Sequence, residues 1–185
     1  MKPNLLCQSA NSQLVLIDLQ ERLAAAMQPE AMQQVLKHCG ILLQAAGLLD
    51  VPQIYTEQYP KGLGATCDSL LPHLAAQQRV EKTAFSCCDE PTFCRKLTAD
   101  RPQVVLAGME AHICVLQTAL ALHAQGRQVF VAADAVISRN PEHKANAMQR
   151  LRDAGVIVSN TESIVFEWLR RAEGDAFKQI SKLVR

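Results

Sequence analysis

The stretch Val104-Val105-Leu106-Ala107-Gly108-Met109-Glu110-Ala111-His112-Ile113-Cys114-Val115 decides how the chain is read. The apolar run Val104 to Ala107 has the composition of a parallel strand buried on both faces. Gly108 breaks it, and a helical pattern opens near His112 and continues through Leu116, Leu120 and Leu122. Cys114 is therefore expected at the carboxyl end of a strand, in the first turn of the following helix. Open α/β sheets place their ligands there. Unpaired N–H groups at that point favour negative charge and draw a thiol toward the thiolate. A free cysteine is ordinarily a small core residue, so the position gains meaning only if other reactive groups share the crevice.

Two residues are placed to do so. Leu14-Val15-Leu16-Ile17-Asp18-Leu19-Gln20 is a short apolar strand that runs into a carboxylate. Asp in that place is commonly a helix N-cap, yet a strand covered on both faces would open Asp18 onto the same crevice as Cys114. In Arg79-Val80-Glu81-Lys82-Thr83-Ala84-Phe85-Ser86, a brief strand ends at Lys82, again on the carboxyl edge. A lone lysine is usually solvated. A carboxylate, an ammonium and a thiol gathered together make chemical sense without a histidine. The ammonium stabilises the thiolate, and the carboxylate moves the proton. Lys82 and the helix N-terminus favour thiolate while Asp18 opposes it, and a net depression of the Cys114 pKa is expected.

Strands alternate with helices along the rest of the chain. After Leu14 to Leu19 comes a helix from Pro29 to Leu48, with Met32, Leu36, Cys39, Leu43 and Ala46 at helical spacing. The second strand is Gln53 to Thr56, and Lys61-Gly62-Leu63-Gly64 reads as a mobile loop over the crevice. A short helix is expected over Asp68 to Ala76, broken near Pro72, and another from Pro91. The helix after the fourth strand stops at Gly126. The fifth strand spans Val129 to Ala132 and ends at Asp134; Asn140-Pro141 opens a helix to Ala154. The sixth strand is Val156 to Val158. Helices from Thr161 to Leu169 and from Asp175 to Leu183 close the chain. Right-handed crossovers then require a six-stranded parallel sheet with helices on both faces, a single-domain three-layer α/β sandwich over residues 1–185.

Asp18 after its apolar strand, Lys82 in Glu81-Lys82-Thr83-x-Phe85-Ser86, and Gly108 to Val115 together resemble the isochorismatase-like cysteine hydrolases, a superfamily that includes nicotinamidases. Thr56-Glu57-Gln58-Tyr59-Pro60-Lys61-Gly62-Leu63-Gly64 and Asp134-Ala135-Val136-Ile137-Ser138-Arg139 are similar to the isochorismatase-domain-containing subgroup. The resemblance runs from about Leu14 to Trp168. It implies strand order 3-2-1-4-5-6 and a catalytic triad of Asp18, Lys82 and Cys114. It also implies a cis peptide between Met109 and Glu110, with the Glu110 and Cys114 amides forming an oxyanion hole. Homo-oligomers are implied too, with Ile164, Val165, Trp168 and Leu169 as an available apolar face. The chain departs from the nicotinamidases, whose metal-binding histidines after the second strand are replaced by Tyr55 to Tyr59, with no histidine from there until His73. A metal-free site with no cofactor is therefore expected. Leu23, Gln58, Tyr59, Phe85 and His112 border the crevice and are expected to line the substrate pocket.

Composition bounds the remaining readings. The 185 residues are 49% hydrophobic but only 4% aromatic, as an aliphatic α/β interior would be. A formal net charge of +1, with charges scattered, offers no footprint for nucleic acid or an acidic membrane. No apolar run approaches a membrane span. Seven cysteines, an odd number, with no signal peptide ahead of them, point to reduced thiols in a cytoplasmic protein. Cys87-Cys88 and Cys94 lack zinc-site spacing and read as core filling. Ser181-Lys182-Leu183 is not terminal and so is no peroxisomal address. Three functions follow: hydrolysis of a small amide-like C–N bond through a thioester on Cys114, a non-catalytic binding or scaffold protein, and a dinucleotide-binding oxidoreductase. The last lacks Gly-x-Gly-x-x-Gly after the first strand, where Asp18-Leu19-Gln20-Glu21-Arg22 stands.

Overall fold

Side chains of the first strand alternate between two cores. Leu14 and Leu16 join one buried cluster, Val15 and Ile17 the other, as period-two geometry requires of a strand covered on both faces. The computed structural model describes residues 5–185. The expectation that Met1 to Asn4 lead straight into a strand falls outside those residues. The described chain makes a turn at Ser9–Asn11 and then runs through β1 (Ser12–Ile17), α1 (Glu21–Ala24), α2 (Pro29–Leu48), β2 (Gln53–Gln58), α3 (Pro60–Leu63), β3 (Arg79–Lys82) and α4 (Pro91–Lys96). It continues through β4 (Gln103–Met109), α5 (Leu116–Ala124), β5 (Gln128–Ile137), α6 (Pro141–Asp153), β6 (Ile157–Ser159), α7 (Thr161–Leu169) and α8 (Gly174–Leu183). A π-helical turn, Ala111–Val115, joins β4 to α5.

All six strands are parallel, in the order β3-β2-β1-β4-β5-β6. Helices α2, α7 and α8 supply Val35, Leu42, Ile164, Trp168 and Ile180 to the core on one face. Helices α4, α5 and α6 supply Phe93, Ala119, Leu122 and Leu151 to the other. The expected architecture and order are those of the molecule. Strands β1 and β4 lie side by side at the switch point, with Leu16 paired to Ala107 and Ile17 to Gly108. The segments leaving these two strands therefore emerge together at one crevice.

Gly108 is what lets them approach so closely. Its φ is +121, and a Cβ built there would stand 2.0 Å from the Ile17 carbonyl oxygen and 2.7 Å from the Ile17 nitrogen. Both obstacles are backbone, so no side-chain rotation relieves them. Gly108→Ala is expected to lower unfolding free energy by roughly 3–5 kcal/mol, through strain at a special backbone position. Chemical denaturation of the two proteins checks this, and an alanine variant within 1 kcal/mol of the parent (a rough experimental margin) would contradict it.

Several local expectations are corrected. Asp68 to Ala76 forms no α-helix but a pair of short 3₁₀ turns, Leu71–His73 and Ala76–Gln78. Pro72 removes a donor there, and only Leu70 in that stretch reaches the core among the large apolar side chains. Lys61 to Gly64 is not a mobile loop. It is the helical turn α3, begun by Pro60, stopped at Gly64 with φ +81, and pinned by Arg22 Nη1 to the Gly62 carbonyl at 2.6 Å. The fifth strand does not end at Asp134. The Asp134 carboxylate accepts from Thr161 N at 2.8 Å and Thr161 Oγ1 at 2.9 Å, so the strand passes it and continues to Ile137. Ile164, Val165 and Trp168 are not available for self-association: they are buried at 0%, 0% and 2% exposure against the chain's own sheet, and Leu169 packs beside them. No helix among the described residues is long and apolar enough to cross a membrane.

Candidate active site

Asp18 is the first residue past β1 and takes a left-handed conformation, φ 51, which Asp tolerates better than most side chains. Its N–H is held by the Thr56 carbonyl at 3.1 Å. Thr56 Oγ1 in turn donates to Asp18 Oδ1 at 2.6 Å. The backbone kink and the Thr56 hydroxyl fix the carboxylate in a fully buried position, 0% exposed. Oδ2 faces the Lys82 ammonium at 2.7 Å and, among the described residues, takes no other hydrogen bond.

Lys82 ends β3, paired in register with Gln58 at the end of β2. Its side chain is wholly buried. Besides Asp18, Nζ donates to Gln58 Oε1 at 2.5 Å and to the Ala84 and Phe85 carbonyls at 3.2 and 3.4 Å. Burial alone would discharge such an ammonium, but Asp18, with the Cys87 and Cys114 sulfurs, holds it above the ordinary lysine range. Its donors are committed to the protein, so the group acts as a fixed charge rather than as a proton carrier.

Cys114 lies in the π-helical turn that follows β4, 7% exposed, with its thiol in the field of the Asp18 carboxylate and the Lys82 ammonium. The Met109–Glu110 peptide is cis. The amides of Ile113 and Val115 both donate to the Glu110 carbonyl, at 3.1 and 3.3 Å, and so clamp the turn that carries the sulfur. The Glu110 side chain points away, accepting from Arg139 N at 2.9 Å and Arg139 Nε at 3.2 Å. The expected lowering of the thiol pKa is corrected. Burial, with Asp18 beside it, pushes Cys114 up to about 12, and Lys82 pulls against this without prevailing. The thiol therefore rests protonated, with the carboxylate that can take its proton in place.

Residues 12–163 match the family model for the isochorismatase domain. Isochorismatase domain-containing protein 2 of Danio rerio is 39% identical over 178 residues, covering 94% of this chain and 86% of that protein. The chain belongs to the isochorismatase family. Among solved structures, the MAR1 ribonuclease of Caenorhabditis elegans superposes with a TM-score of 0.90 at 35% identity, over 97% of this chain and 92% of that one. The ycaC gene product of Escherichia coli, described as an octameric hydrolase of unknown specificity, gives a TM-score of 0.90 at 20% identity, over 99% and 92%. That second likeness is one of fold.

This family member brings Asp18, Lys82 and Cys114 together, and the residues expected around them have differing surroundings. Tyr59 lines a cavity of about 300 Å³ with Lys61, Glu81, Lys82 and Glu90. Tyr59 and Phe85 are each 56% exposed. Gln58 is turned onto the ammonium instead of lining that cavity. Leu23 packs on the core. His112 has Nδ1 2.9 Å from Ser138 Oγ and its ring 4.8 Å from that of His143. Among the described residues, no group of three or more His, Cys, Asp or Glu side chains could hold a metal ion. Glu57 is instead occupied by Thr66 N and Oγ1, both at 2.8 Å.

Three site residues escaped sequence reasoning: Thr56, Gln20 and Cys87. Cys87 is fully buried core, as read, whereas Cys88 is half-buried and Cys94 exposed; the Cys87 N–H donates to Thr118 Oγ1 at 3.0 Å, and its thiol lies within the field of Lys82 and Asp18. Only the register of β1 with β2 could have signalled Thr56, because it stands beside Asp18 through pairing rather than through spacing.

Proposed function

We propose that this isochorismatase-family chain hydrolyses a small amide-like C–N bond through a covalent thioester on Cys114. The observation that carries the reading is the buried contact of thiol, carboxylate and ammonium at the switch point, with the ammonium saturated by Asp18, Gln58 and two carbonyls. As Cys114 Sγ attacks the carbonyl carbon, its proton passes to Asp18, and the oxyanion meets the Glu110 and Cys114 amides. The C–N bond then breaks and the amine leaves with the proton from Asp18. Water attacks the thioester while Asp18 takes its proton, the acid departs, and the proton returns to sulfur. Lys82 stays beside the carboxylate throughout as a fixed positive charge, 2.7 Å from Oδ2. Because the thiol rests protonated, proton transfer accompanies attack instead of preceding it.

The name of the Caenorhabditis elegans relative raises a second reading, cleavage of RNA. A polynucleotide needs an open basic track, whereas here the reactive groups are buried and the adjoining cavity matches Lys61 and Lys82 with Glu81 and Glu90. These features support a small substrate, with Tyr59 lining the cavity beside Lys82. The test incubates wild type and Cys114→Ala, at matched folding, with a panel of small amides and with RNA. Amine release by wild type alone, with an acyl adduct on Cys114 by intact mass, is expected. Equal turnover of an amide by both proteins would end the covalent mechanism. RNA cleavage that depends on Cys114, without amide turnover, would favour the second reading.

A further inference from the structure

Strand β1 stops at Ile17, yet the chain beyond it remains registered to β2 through a side chain. Gln20, fully buried, accepts from the Gln58 N–H at 2.7 Å and donates through Nε2 to the Gln58 carbonyl at 3.0 Å. The amide of Gln20 thus behaves as one more peptide unit in the ladder between the two strands. The same Nε2 donates to the Gly64 carbonyl at 2.6 Å, which ties down the end of α3.

Held by its backbone in this way, Gln58 uses both ends of its own side-chain amide. Oε1 accepts from Lys82 Nζ at 2.5 Å, and Nε2 donates to the Thr83 carbonyl at 2.7 Å. The two bonds fix the orientation of the group, since only the oxygen can face an ammonium and only the nitrogen a carbonyl. Gln58 therefore presents an oriented dipole to a cation whose side chain is 0% exposed. A buried ammonium needs each of its protons matched, because the dry surroundings otherwise favour its discharge.

We propose that Gln20 and Gln58 are positioning residues that hold the Lys82 ammonium charged and seated on Asp18. Neither touches the reacting atoms; both act through Lys82. The role rests on the reading of Lys82 as the electrostatic partner of the triad, and it reassigns Gln58 from the substrate wall to the support of that charge. The specificity of the pocket then falls to Tyr59 and the residues that line the cavity with it.

The test follows the ¹³Cε resonance of Lys82 against pH in protein carrying labelled lysine, assigned by its loss in Lys82→Arg. Gln58→Met removes the acceptor at nearly constant volume. Gln58→Asn keeps a buried amide, one methylene too short to reach the ammonium, and preserves the fold more gently. Gln20→Met releases the backbone clamp. In the folded variants Lys82 is expected to titrate at lower pH than in wild type, with Gln58→Met displaced furthest. A purely structural role would lower the melting temperature and leave the Lys82 titration where it was. That result in Gln58→Asn would overturn the proposal. Failure of the thioester mechanism would appear separately, as amide turnover independent of Cys114, and would leave the lysine titration readable.

Discussion

Asp18→Asn is expected to abolish amide turnover, by roughly 10³-fold or more, the scale of a lost general acid–base group. Asparagine can accept the Thr56 hydrogen bond that now goes to Oδ1 at 2.6 Å, but it cannot take the Cys114 proton or deliver one to the leaving amine. Both half-reactions fail together, so neither a burst of amine nor a trapped thioester should form. The same change strands a buried cation. The side chains of Asp18 and Lys82 are each 0% exposed and 2.7 Å apart, and breaking a pair of that kind by removing one partner typically costs about 3–5 kcal/mol. Lys82→Met should destabilise comparably, by leaving the carboxylate unpaired. The double variant Asp18→Asn/Lys82→Met removes both charges, and most of the lost stability is expected to return, because a buried pair replaced by neutral groups is often close to neutral. Its turnover should not return. The three variants therefore separate folding from chemistry, with urea denaturation read beside amine release. An active double variant would remove the acid–base role from Asp18.

Much of this site was legible because its parts stand at strand ends. The apolar runs Leu14 to Ile17 and Val104 to Ala107 are too short for buried helices and too apolar for exposed strands, so Asp18 and Cys114 could be placed on one edge before any coordinates. Lys82 followed from a weaker signal, a brief strand whose alternation is clear in the structure, with Val80 and Lys82 buried and Arg79 and Glu81 exposed. What could not be read depends on packing between segments distant in the chain. Gln20 and Gln58 are 38 residues apart and meet only because β1 and β2 are neighbours. Asp134 looked like the end of a strand because a carboxylate inside one needs partners, and Thr161, which supplies them, lies 27 residues further on. The sign of the Cys114 shift was missed for a related reason. Lys82 and the helix N-terminus were visible locally, whereas the depth of burial that outweighs them belongs to the whole fold.

The protein is expected to lose stability steeply above about pH 9, and the cause is its buried thiols. All seven cysteines are free. Burial pushes Cys7, Cys87 and Cys114 up to about 12 and Cys67 and Cys88 up to about 11 from an ordinary value of 9.0, and raises Cys39 as well. The folded thiols stay protonated where the unfolded ones ionise. Their contribution is therefore complete below pH 9 and is lost as pH rises toward the folded values. Each thiol removes about 1.4 kcal/mol per pH unit within that window. Six together amount to about 8 kcal/mol per pH unit, enough to exhaust a stability of roughly 5–15 kcal/mol between about pH 9.5 and pH 11. The raised Lys82 acts in the same sense, since its stabilisation is present below the unfolded lysine value and disappears as pH climbs through the folded one. Urea denaturation at intervals from pH 8 to 10.5 under reducing conditions measures the slope. Cys39→Ala, which removes a thiol hydrogen-bonded to the Ala135 carbonyl and not to Asp18 or Lys82, should flatten it by about a sixth while lowering stability at pH 7 through the cavity it leaves. A slope indifferent to that substitution would contradict the assignment. The consequence for catalysis is specific. A nucleophile that ionised before attack would give turnover rising with pH toward the thiol pKa. A thiol deprotonated by Asp18 only as it attacks gives turnover that is flat through neutral pH and falls at the alkaline end where the fold itself gives way.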